Sequence, residues 1–318
     1  MDLPVVAEVV RSGFVEGAHR GSVVALAADG DVLFSVGRPE EPIFPRSSNK
    51  PLQTIGMLRA GLELDGPLLA LSSASHSGED FHLDGVRQIL AGAGLDVDAL
   101  QTPPDLPYGE SPRAAWIRTV RAPEPLAMNC SGKHAAMLAT CVVNGWDLLT
   151  YRDPAHPLQR LLRDTVADLA GEPVTVTGID GCGAPVFGLS LTGLARSFRA
   201  WVLGDEGTAE RRTYDAVRAF PEWLGGTDRD VTDLIRGVPG LVAKDGAEAV
   251  YAVALADGRS VALKIEDGGQ RARPPVMAAA LAALGVEAPV LAEQADWPIL
   301  GGGVRVGRVR AVRTLFPA

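Results

Sequence analysis

Apolar residues that alternate with polar ones, or that run together between turn signals, predict strands near both ends of the chain. Asp-Gly pairs, which favour tight hairpins, separate neighbouring runs at positions 29–30 and 257–258. The predicted strands are Val5 to Arg11, Ser22 to Ala27, Val32 to Val36, Val174 to Ile179, Ala249 to Leu255, Ser260 to Glu266 and Val304 to Val309.

Apolar residues at helical spacing predict helices through the middle of the chain. A glycine follows several of these segments, as is common at the C-terminus of a helix. The predicted helices are Ser48 to Ala60, Ala135 to Asn144, Pro157 to Ala170, Leu194 to Leu203, Arg212 to Phe220 and Met277 to Leu284, with helical patterns also near Leu83, near Trp116 and from Val186. Strands at both ends with helices between them predict an α+β fold, in which an antiparallel sheet formed by N- and C-terminal strands is flanked by helices.

The segment Phe14 to Gly21 interrupts the strand pattern and is predicted to be a polar loop. Glu16, His19 and Arg20 could line a site in this loop. A solvated turn is the simpler interpretation, because polar residues are the usual content of a surface connection.

Length, charge and cysteine count narrow the class of protein. A chain of 318 residues can bury a large core, and it contains no linker or repeat, so we expect one domain over residues 1–318 with a sheet-containing part from both ends and a helical middle. A formal charge of −9 disfavours nucleic acid and anionic membranes as partners and leaves a small molecule as the expected ligand. The acidic N-terminus, the lack of an apolar run of about 20 residues and the odd cysteine count predict a cytoplasmic protein.

Ser47 and Lys50 are the first candidates for chemistry. They lie three residues apart where a predicted helix begins, because Pro51 is acceptable only in the first turn of that helix. Residues at this spacing share one face of a helix, so the amine can take the proton of the hydroxyl as that hydroxyl attacks a carbonyl. This is the S-x-x-K arrangement of penicillin-recognising acyl enzymes, although such a pair also arises by chance in many proteins.

The choice of basic residues strengthens this interpretation. The chain has four lysines against 26 arginines, and Lys50, Lys133 and Lys244 lie beside Gly, Ser or Cys in turn-like segments. A desolvated lysine can lose its proton whereas arginine does not, so lysine in an arginine-rich chain indicates a base or a ligand. Lys264, on an alternating strand, is the lysine that chance explains best.

The three cysteines differ in their surroundings. Cys130 precedes a predicted helix, where a thiol is partly stabilised as thiolate and is reactive or metal-binding. Cys182 lies between two glycines in a turn, where a ligand site and an ordinary buried cysteine are equally good interpretations. Cys141 falls on an apolar helix face and is expected in the core.

Five short segments carry the residues of interest: Arg46-Ser47-Ser48-Asn49-Lys50, Ala74-Ser75-His76-Ser77-Gly78-Glu79, Met128-Asn129-Cys130-Ser131-Gly132-Lys133-His134, Gly178-Ile179-Asp180-Gly181-Cys182-Gly183-Ala184-Pro185 and Ala243-Lys244-Asp245-Gly246-Ala247-Glu248. Together they resemble the asparaginase II family, the thermolabile serine-lysine type of L-asparaginase, whose fold is similar to serine β-lactamases and glutaminases. The segments occur in the family's order and span most of the chain. The joint match is therefore far more specific than any single segment.

The resemblance implies hydrolysis of L-asparagine to L-aspartate and ammonia through two serine-lysine pairs. Carried over by motif, these pairs are Ser47 with Lys50 and Ser75 with Lys244. Lys50 would accept the proton of Ser47 while an acyl enzyme forms, and Ser75 and Lys244 would move the proton to the leaving group or orient the substrate. Which serine attacks first is left open.

The resemblance also implies a homodimer and a zinc ion (Zn2+) held by Cys130, Lys133 and Cys182. Lysine is a rare zinc ligand, so spacing alone would not have produced this set. The expected role of zinc is to shape the pocket or to bind the amino-acid end of the substrate. The candidates for substrate binding are Arg46, for the α-carboxylate, His134 and Asp180.

Three alternatives stay open. A glutaminase, or another acyl-serine amidase of the same fold, would differ only in the size of its pocket. An enzyme of a different class would use Cys130 as its nucleophile. A non-enzymatic binding protein would use Cys130 and Cys182 as a structural zinc clip, with Ser47 as an ordinary helix cap.

Overall fold

The computed structural model describes residues 3–317 of the chain. Its strands are β1 Val5–Arg11, β2 Phe14–Leu26, β3 Val32–Val36, β4 Pro42–Ile43, β5 Val176–Ile179, β6 Pro185–Ser190, β7 Val242–Gly246, β8 Val250–Ala254, β9 Ser260–Ile265, β10 Asp296–Gly301 and β11 Val304–Ala311. Its helices are α1 Lys50–Arg59, α2 Gly66–Ser72, α3 Asp80–Gly92, α4 Glu110–Arg118, α5 Ser131–Asn144, α6 Pro157–Ala170, α7 Leu191–Val202, α8 Ala209–Ala219, α9 Pro221–Leu224, α10 Asp230–Gly237, α11 Arg273–Ala283 and α12 Pro289–Gln294.

The described residues fall into two compact units. The first unit holds the residues up to Ser48, Leu189–Leu203 and the residues from Asp233 onward. The second unit holds Asn49–Gly188 and Gly204–Thr232. No helix within residues 3–317 has both the length and the apolar character needed to cross a bilayer.

The first unit is built on an antiparallel sheet in the order β10-β11-β1-β2-β9-β8-β7, with β3 also paired to β2. Strands from the two ends of the chain are neighbours, since Ala7 of β1 pairs with Ala311 of β11. The long strand β2 pairs with β1 along its first half and with β9 and β3 along its second half. Helices α7 and α11 pack against the sheet. The predicted α+β fold, with one antiparallel sheet drawn from both ends of the chain, is confirmed.

Two local predictions are wrong. The segment Phe14 to Gly21 is a strand and not a polar loop, because it forms the first half of β2, where Val15 pairs with Val10 of β1. Polar residues are tolerated there because most side chains in this half of the strand are exposed. The segment from Val186, predicted to be helical, belongs to strand β6. All of its residues are buried, so the alternation that marks a half-buried strand is lost.

The second unit is mainly helical. Every residue of α1 from Lys50 to Leu58 is buried, as is typical of a helix surrounded by other elements. This helix packs closely on α6 at Gly56, where a Cβ atom would lie 3.0 Å from Leu162 Cδ2 and from Thr165 Oγ1. The central position of α1 removes Lys50, its first residue, from solvent.

Candidate active site

Lys50 and Ser75 form a buried hydrogen-bonded pair in the second unit. The Lys50 side chain has no exposed surface, and Ser75 is only 6% exposed. Lys50 Nζ donates to the carbonyl oxygen of Ala74 at 2.6 Å and to Ser75 Oγ at 3.0 Å. Both acceptors are uncharged oxygens. An amine placed against a hydroxyl in this way can exchange a proton with it.

Ser75 lies in an extended segment between α2 and α3, and backbone hydrogen bonds hold this segment from several directions. Its N–H donates to Leu224 O at 3.1 Å, and the next N–H, of His76, donates to Asn129 O at 3.1 Å. Ser77, two residues after Ser75, donates from Oγ to Gly225 O at 3.0 Å. The position of the serine is therefore set by contacts distant in sequence rather than by a helix or a strand.

His76 supports the same segment as a neutral imidazole. Its Nε2 lies 2.8 Å from Ser131 Oγ, and Ser131 gives its own proton to Leu126 O at 2.8 Å. The imidazole Nε2–H must therefore be the donor to Ser131. Burial, reinforced by the charges of His82 and Lys50, lowers the pKa of His76 well below its ordinary value.

Lys244 lies on β7 in the first unit and is completely buried. Its Nζ donates to Asp245 O at 2.8 Å and pairs with Asp245 Oδ1 at 2.7 Å. The end of β7 packs against the turn that carries Ser47, because a Cβ on Gly246 would lie 2.6 Å from Pro45 O and 3.4 Å from Ser47 N. A residue with a side chain at position 246 would displace this turn.

Arg46 and Ser47 belong to a 3-10 turn, Arg46–Asn49, that precedes α1. Arg46 adopts a left-handed backbone conformation with φ of 53°, which is unusual for a residue other than glycine. Its guanidinium lies 3.9 Å from Glu248 Oε1, at the limit of an ion pair. The first unit therefore holds Arg46, Ser47 and Lys244, and the second unit brings Lys50 to Ser75. The pairings of Ser47 with Lys50 and of Ser75 with Lys244 stay predictions.

The second unit also contains a cluster of two cysteine sulfur atoms and one lysine amine. Cys130 directly precedes α5, Lys133 lies in the first turn of α5, and Cys182 lies in the turn between β5 and β6. Lys133 Nζ donates to Cys182 Sγ at 3.3 Å, and all three side chains are buried. The three residues predicted from the resemblance are thus brought together.

Charge in this cluster is divided unequally between the two thiols. A hydrogen bond with Cys130, together with the charges of Lys133 and His134, lowers the pKa of Cys182 far below its ordinary value. The same hydrogen bond and burial raise the pKa of Cys130 well above its ordinary value. Burial acts to lower the pKa of Lys133, but the charges of Cys182, Cys130 and Asp180 outweigh it and raise that pKa.

His134 and Asp180 lie beside this cluster. His134 Nδ1 is 2.6 Å from Tyr151 Oη, and burial lowers the pKa of His134. Its other ring nitrogen, Nε2, is buried without a hydrogen bond of normal geometry. Asp180 accepts a hydrogen bond from the N–H of Gly181 at 2.9 Å. Two of the three predicted substrate-binding residues, His134 and Asp180, thus lie close to Cys182.

The donor set of this cluster fits zinc. Within residues 3–317, no group of three His, Cys, Asp and Glu side chains is arranged to hold a metal ion, so the third donor would have to be Lys133. Two sulfur atoms are suitable zinc ligands, and an amine nitrogen can join them once it loses its proton. Zinc held by Cys130, Lys133 and Cys182 stays a prediction.

Glu16, His19 and Arg20 each have a structural partner in the first unit. Glu16 pairs with Arg11 at 3.0 Å. His19 is buried rather than solvated, since its Nδ1 lies 2.7 Å from Asp267 Oδ2. Arg20 donates to the carbonyl oxygen of Leu3.

The model of the L-asparaginase II family matches residues 7–311. The chain belongs to the L-asparaginase II family. The predicted resemblance is confirmed, and family membership together with the fold supports an amidase or a related hydrolase. A comparison with curated proteins gives no match.

Several solved structures are distantly similar to this L-asparaginase II family member. A beta-lactamase from Mycobacterium bovis is 14% identical, with a TM-score of 0.48 over 89% of this chain and 97% of the other. Mglu in its glutamate form is 11% identical, with a TM-score of 0.42 over 81% of this chain and 59% of the other. EstCE1, a hydrolase with promiscuous acyltransferase activity, is 14% identical, with a TM-score of 0.40 over 79% and 91%. Similarities this low support no conclusion about chemistry.

Proposed function

We propose that this protein hydrolyses the side-chain amide of L-asparagine to L-aspartate and ammonia. The observation that supports it best is the hydrogen bond of 3.0 Å between Lys50 Nζ and Ser75 Oγ, buried in a member of the L-asparaginase II family. A hydroxyl becomes a useful nucleophile when an adjacent base can take its proton. Lys50 is in position to be that base.

The proposed reaction forms and then breaks an ester on the protein. A serine oxygen attacks the amide carbon of asparagine, and Lys50, as a neutral amine, accepts the hydroxyl proton. The same proton passes to the amide nitrogen as the C–N bond breaks, so ammonia leaves and an aspartyl ester remains. Water then attacks the ester with Lys50 as base, which releases L-aspartate and restores the serine.

The nucleophile is one of two hydroxyls. If Ser75 attacks, Lys50 takes the proton directly across the observed hydrogen bond. If Ser47 attacks, as its S-x-x-K spacing predicts, the same hydrogen bond lets Ser75 carry the proton from Lys50 towards the leaving group. Lys244 keeps its predicted role of supporting the second hydroxyl. Lys50 is required by both routes.

Zinc at the second cluster would be held by Cys130, Lys133 and Cys182. When bound, it would supply a fixed positive charge near the amino-acid end of the substrate. The hydrogen bond with Cys182, together with burial, raises the pKa of Cys130, which counts against the alternative of a Cys130 nucleophile.

Ammonia release by the wild type and by Lys50→Met tests the proposal. Loss of a general base lowers kcat by on the order of 100- to 10,000-fold, so Lys50→Met should be nearly inactive. The matched control is Lys264→Met, since Lys264 lies on β9 and belongs to neither cluster. Asparagine, glutamine and a β-lactam are compared side by side, because one methylene alters selectivity by only roughly 1 to 3 kcal/mol.

Mass spectrometry of the trapped acyl enzyme assigns the nucleophile. We expect the aspartyl adduct of the wild type to map to a single serine, either Ser47 or Ser75. Undiminished ammonia release by Lys50→Met would contradict the proposal. Faster turnover of glutamine than of asparagine would favour the glutaminase alternative instead.

A further inference from the structure

An arginine lies against the backbone of Ser75 itself. Arg229, in the turn between α9 and α10, donates from Nη1 to the carbonyl oxygen of Ser75 at 3.4 Å. Its guanidinium also stacks on the ring of Tyr108, 4.7 Å from the centroid. Neither residue was a candidate in the sequence, because neither lies in a segment that carries the family resemblance.

Both residues are held to the segment that follows Ser75. The loop that carries Tyr108 is attached through the N–H of Gly109, which donates to Ser77 O at 2.8 Å. The other side of Ser77 is held by Gly225, close in sequence to Arg229. Tyr108 and Arg229 therefore approach the serine segment from two separate loops and meet beside it.

The residue that Arg229 contacts is also the residue whose hydroxyl Lys50 contacts. In asparagine, only two carbon atoms separate the amide carbon from the α-carboxylate carbon. Ser75 Oγ, which Lys50 contacts, and Ser75 O, which Arg229 contacts, are likewise separated by a few bonds of one residue. On the inference below, a substrate whose amide reaches the hydroxyl would place its carboxylate near the guanidinium.

The chemistry of the guanidinium favours a carboxylate ligand. Arginine stays charged and presents parallel N–H groups that can bind both carboxylate oxygens. Stacking on Tyr108 keeps the guanidinium plane in one orientation, which reduces the entropy lost on binding. Arg229 is half-buried, and an ion pair there is less screened than at an open surface.

We infer that Arg229, oriented by Tyr108, binds the α-carboxylate of the amino-acid substrate and so selects amides of amino acids over other amides. This inference rests on the proposed amidase function and adds its substrate-recognition residue. It also replaces Arg46 in that role. Glutamine, with one more methylene, places its carboxylate further from the reacting carbon, so the Arg229 contact favours asparagine.

The test compares Arg229→Met with the control Arg87→Met. Arg87 lies on α3, is exposed and pairs with Asp84, so its loss should change neither kinetics nor binding. For Arg229→Met, the KM for L-asparagine and the calorimetric Kd for L-aspartate should rise on the order of 10- to 100-fold, the effect of losing a charged hydrogen-bonding partner. Arg229→Lys should recover part of the loss.

A second readout separates recognition from damage to the fold. The ratio of kcat/KM for L-asparagine to that for p-nitrophenyl acetate, which lacks a carboxylate, should fall by a similar factor in Arg229→Met. Melting temperatures within a few degrees of wild type establish that the variants are folded. KM and Kd within twofold of wild type in Arg229→Met, or the large rise in Arg46→Met instead, would overturn the inference.

Failure of the amidase proposal and failure of the Arg229 inference would give different experimental results. A wild type without ammonia release refutes the amidase proposal. Binding of L-aspartate that weakens in Arg229→Met would still support the carboxylate site in that case, whereas a wild type that binds no L-aspartate would overturn it.

Discussion

Gly226 controls how closely the loop after α9 can approach the serine segment. Its φ of +144° is a conformation that residues with a side chain rarely adopt. A Cβ at this position would lie 2.0 Å from Ser77 Oγ, two residues from Ser75. Glycine is thus required here by both conformation and space.

Gly226→Ala should therefore lower the free energy of unfolding by roughly 2 to 4 kcal/mol, the sum of backbone strain and overpacking. Displacement of Ser77 should also lower kcat for ammonia release by about 10- to 100-fold. Gly145→Ala is the control, since Gly145 has φ of 65° but open space around it and should cost about 1 kcal/mol with kcat unchanged. Urea unfolding and ammonia assays check both variants, and equal losses would refute the steric argument.

Three lysines show what residue type alone could indicate. Lys50 and Lys244 have no exposed surface, and Lys133 is 2% exposed. Lys264 is only partly buried on its strand. A long charged side chain is rarely buried without a reason, and these three are the lysines that the arginine-rich composition had singled out.

At the scale of elements, the start of α5 organises the sulfur cluster. Cys130 and Lys133 are three residues apart at this helix start, so helical geometry alone places them on one side. Cys182 comes from the turn between β5 and β6, which is closed by the pairing of Ile179 with Pro185. One helix start and one hairpin turn thus supply the whole predicted zinc set.

We expect the protein, purified without chelators, to hold about one zinc ion per chain. Cys182→Ala should lose the metal, because it removes one of the two sulfur donors of the predicted set, and the lowered pKa of Cys182 favours the thiolate that zinc binds. Cys141→Ala should retain the metal. Cys141 is on α5 but outside the cluster, and burial raises its pKa to about 12. Elemental analysis measures the zinc content of each variant, and the melting temperature after chelator treatment shows whether the metal stabilises the fold. A Cys182→Ala protein with full zinc content would refute this site.

At the scale of the whole molecule, buried neutral histidines link stability to pH. His82 accepts the N–H of Glu79 at Nδ1 and lies 2.9 Å from Glu222 O at Nε2. Burial, with a smaller effect of Arg229, lowers its pKa to about 4 from an ordinary value of 6.5. His76, stacked on His82, is shifted in the same direction.

The sign of the effect follows from proton binding. Between pH 6.5 and pH 4 the unfolded chain binds a proton at His82 that the folded protein does not, so the free energy of unfolding is undiminished above pH 6.5 and falls as pH decreases. His82 contributes a loss of about 3 kcal/mol over this range. His82→Gln should show a shallower pH dependence in urea unfolding, although it is less stable at pH 7. If the free energy of unfolding of His82→Gln depended on pH as steeply as that of the wild type, His82 would not be the origin of the effect.

Assembly and cellular location are also properties of the whole molecule. The homodimer and the cytoplasmic location stay predictions, since they come from the resemblance and from composition.

Much of the fold was predictable, because it depends on local patterns. The strand Val5–Arg11 and the helix Pro157–Ala170 have the bounds that their apolar spacing predicts. The pattern failed where burial hides it, as in β6, or where a half-exposed strand carries polar residues, as in the first half of β2. Edge strand β10 was missed because it contains Pro298, which is tolerated only where the missing N–H faces no partner strand.

The sequence by itself determined the class of fold, the family and which lysines and thiols are candidates for chemistry, because these follow from periodicity, composition and motif. Only the tertiary structure decided that Lys50 contacts Ser75, that Cys182 joins Cys130 and Lys133, and that Arg229 lies against Ser75. These contacts join residues 25 to 154 positions apart. The physical reason is that such contacts form when helices pack and irregular loops dock on them, and neither event leaves a periodic signal along the chain.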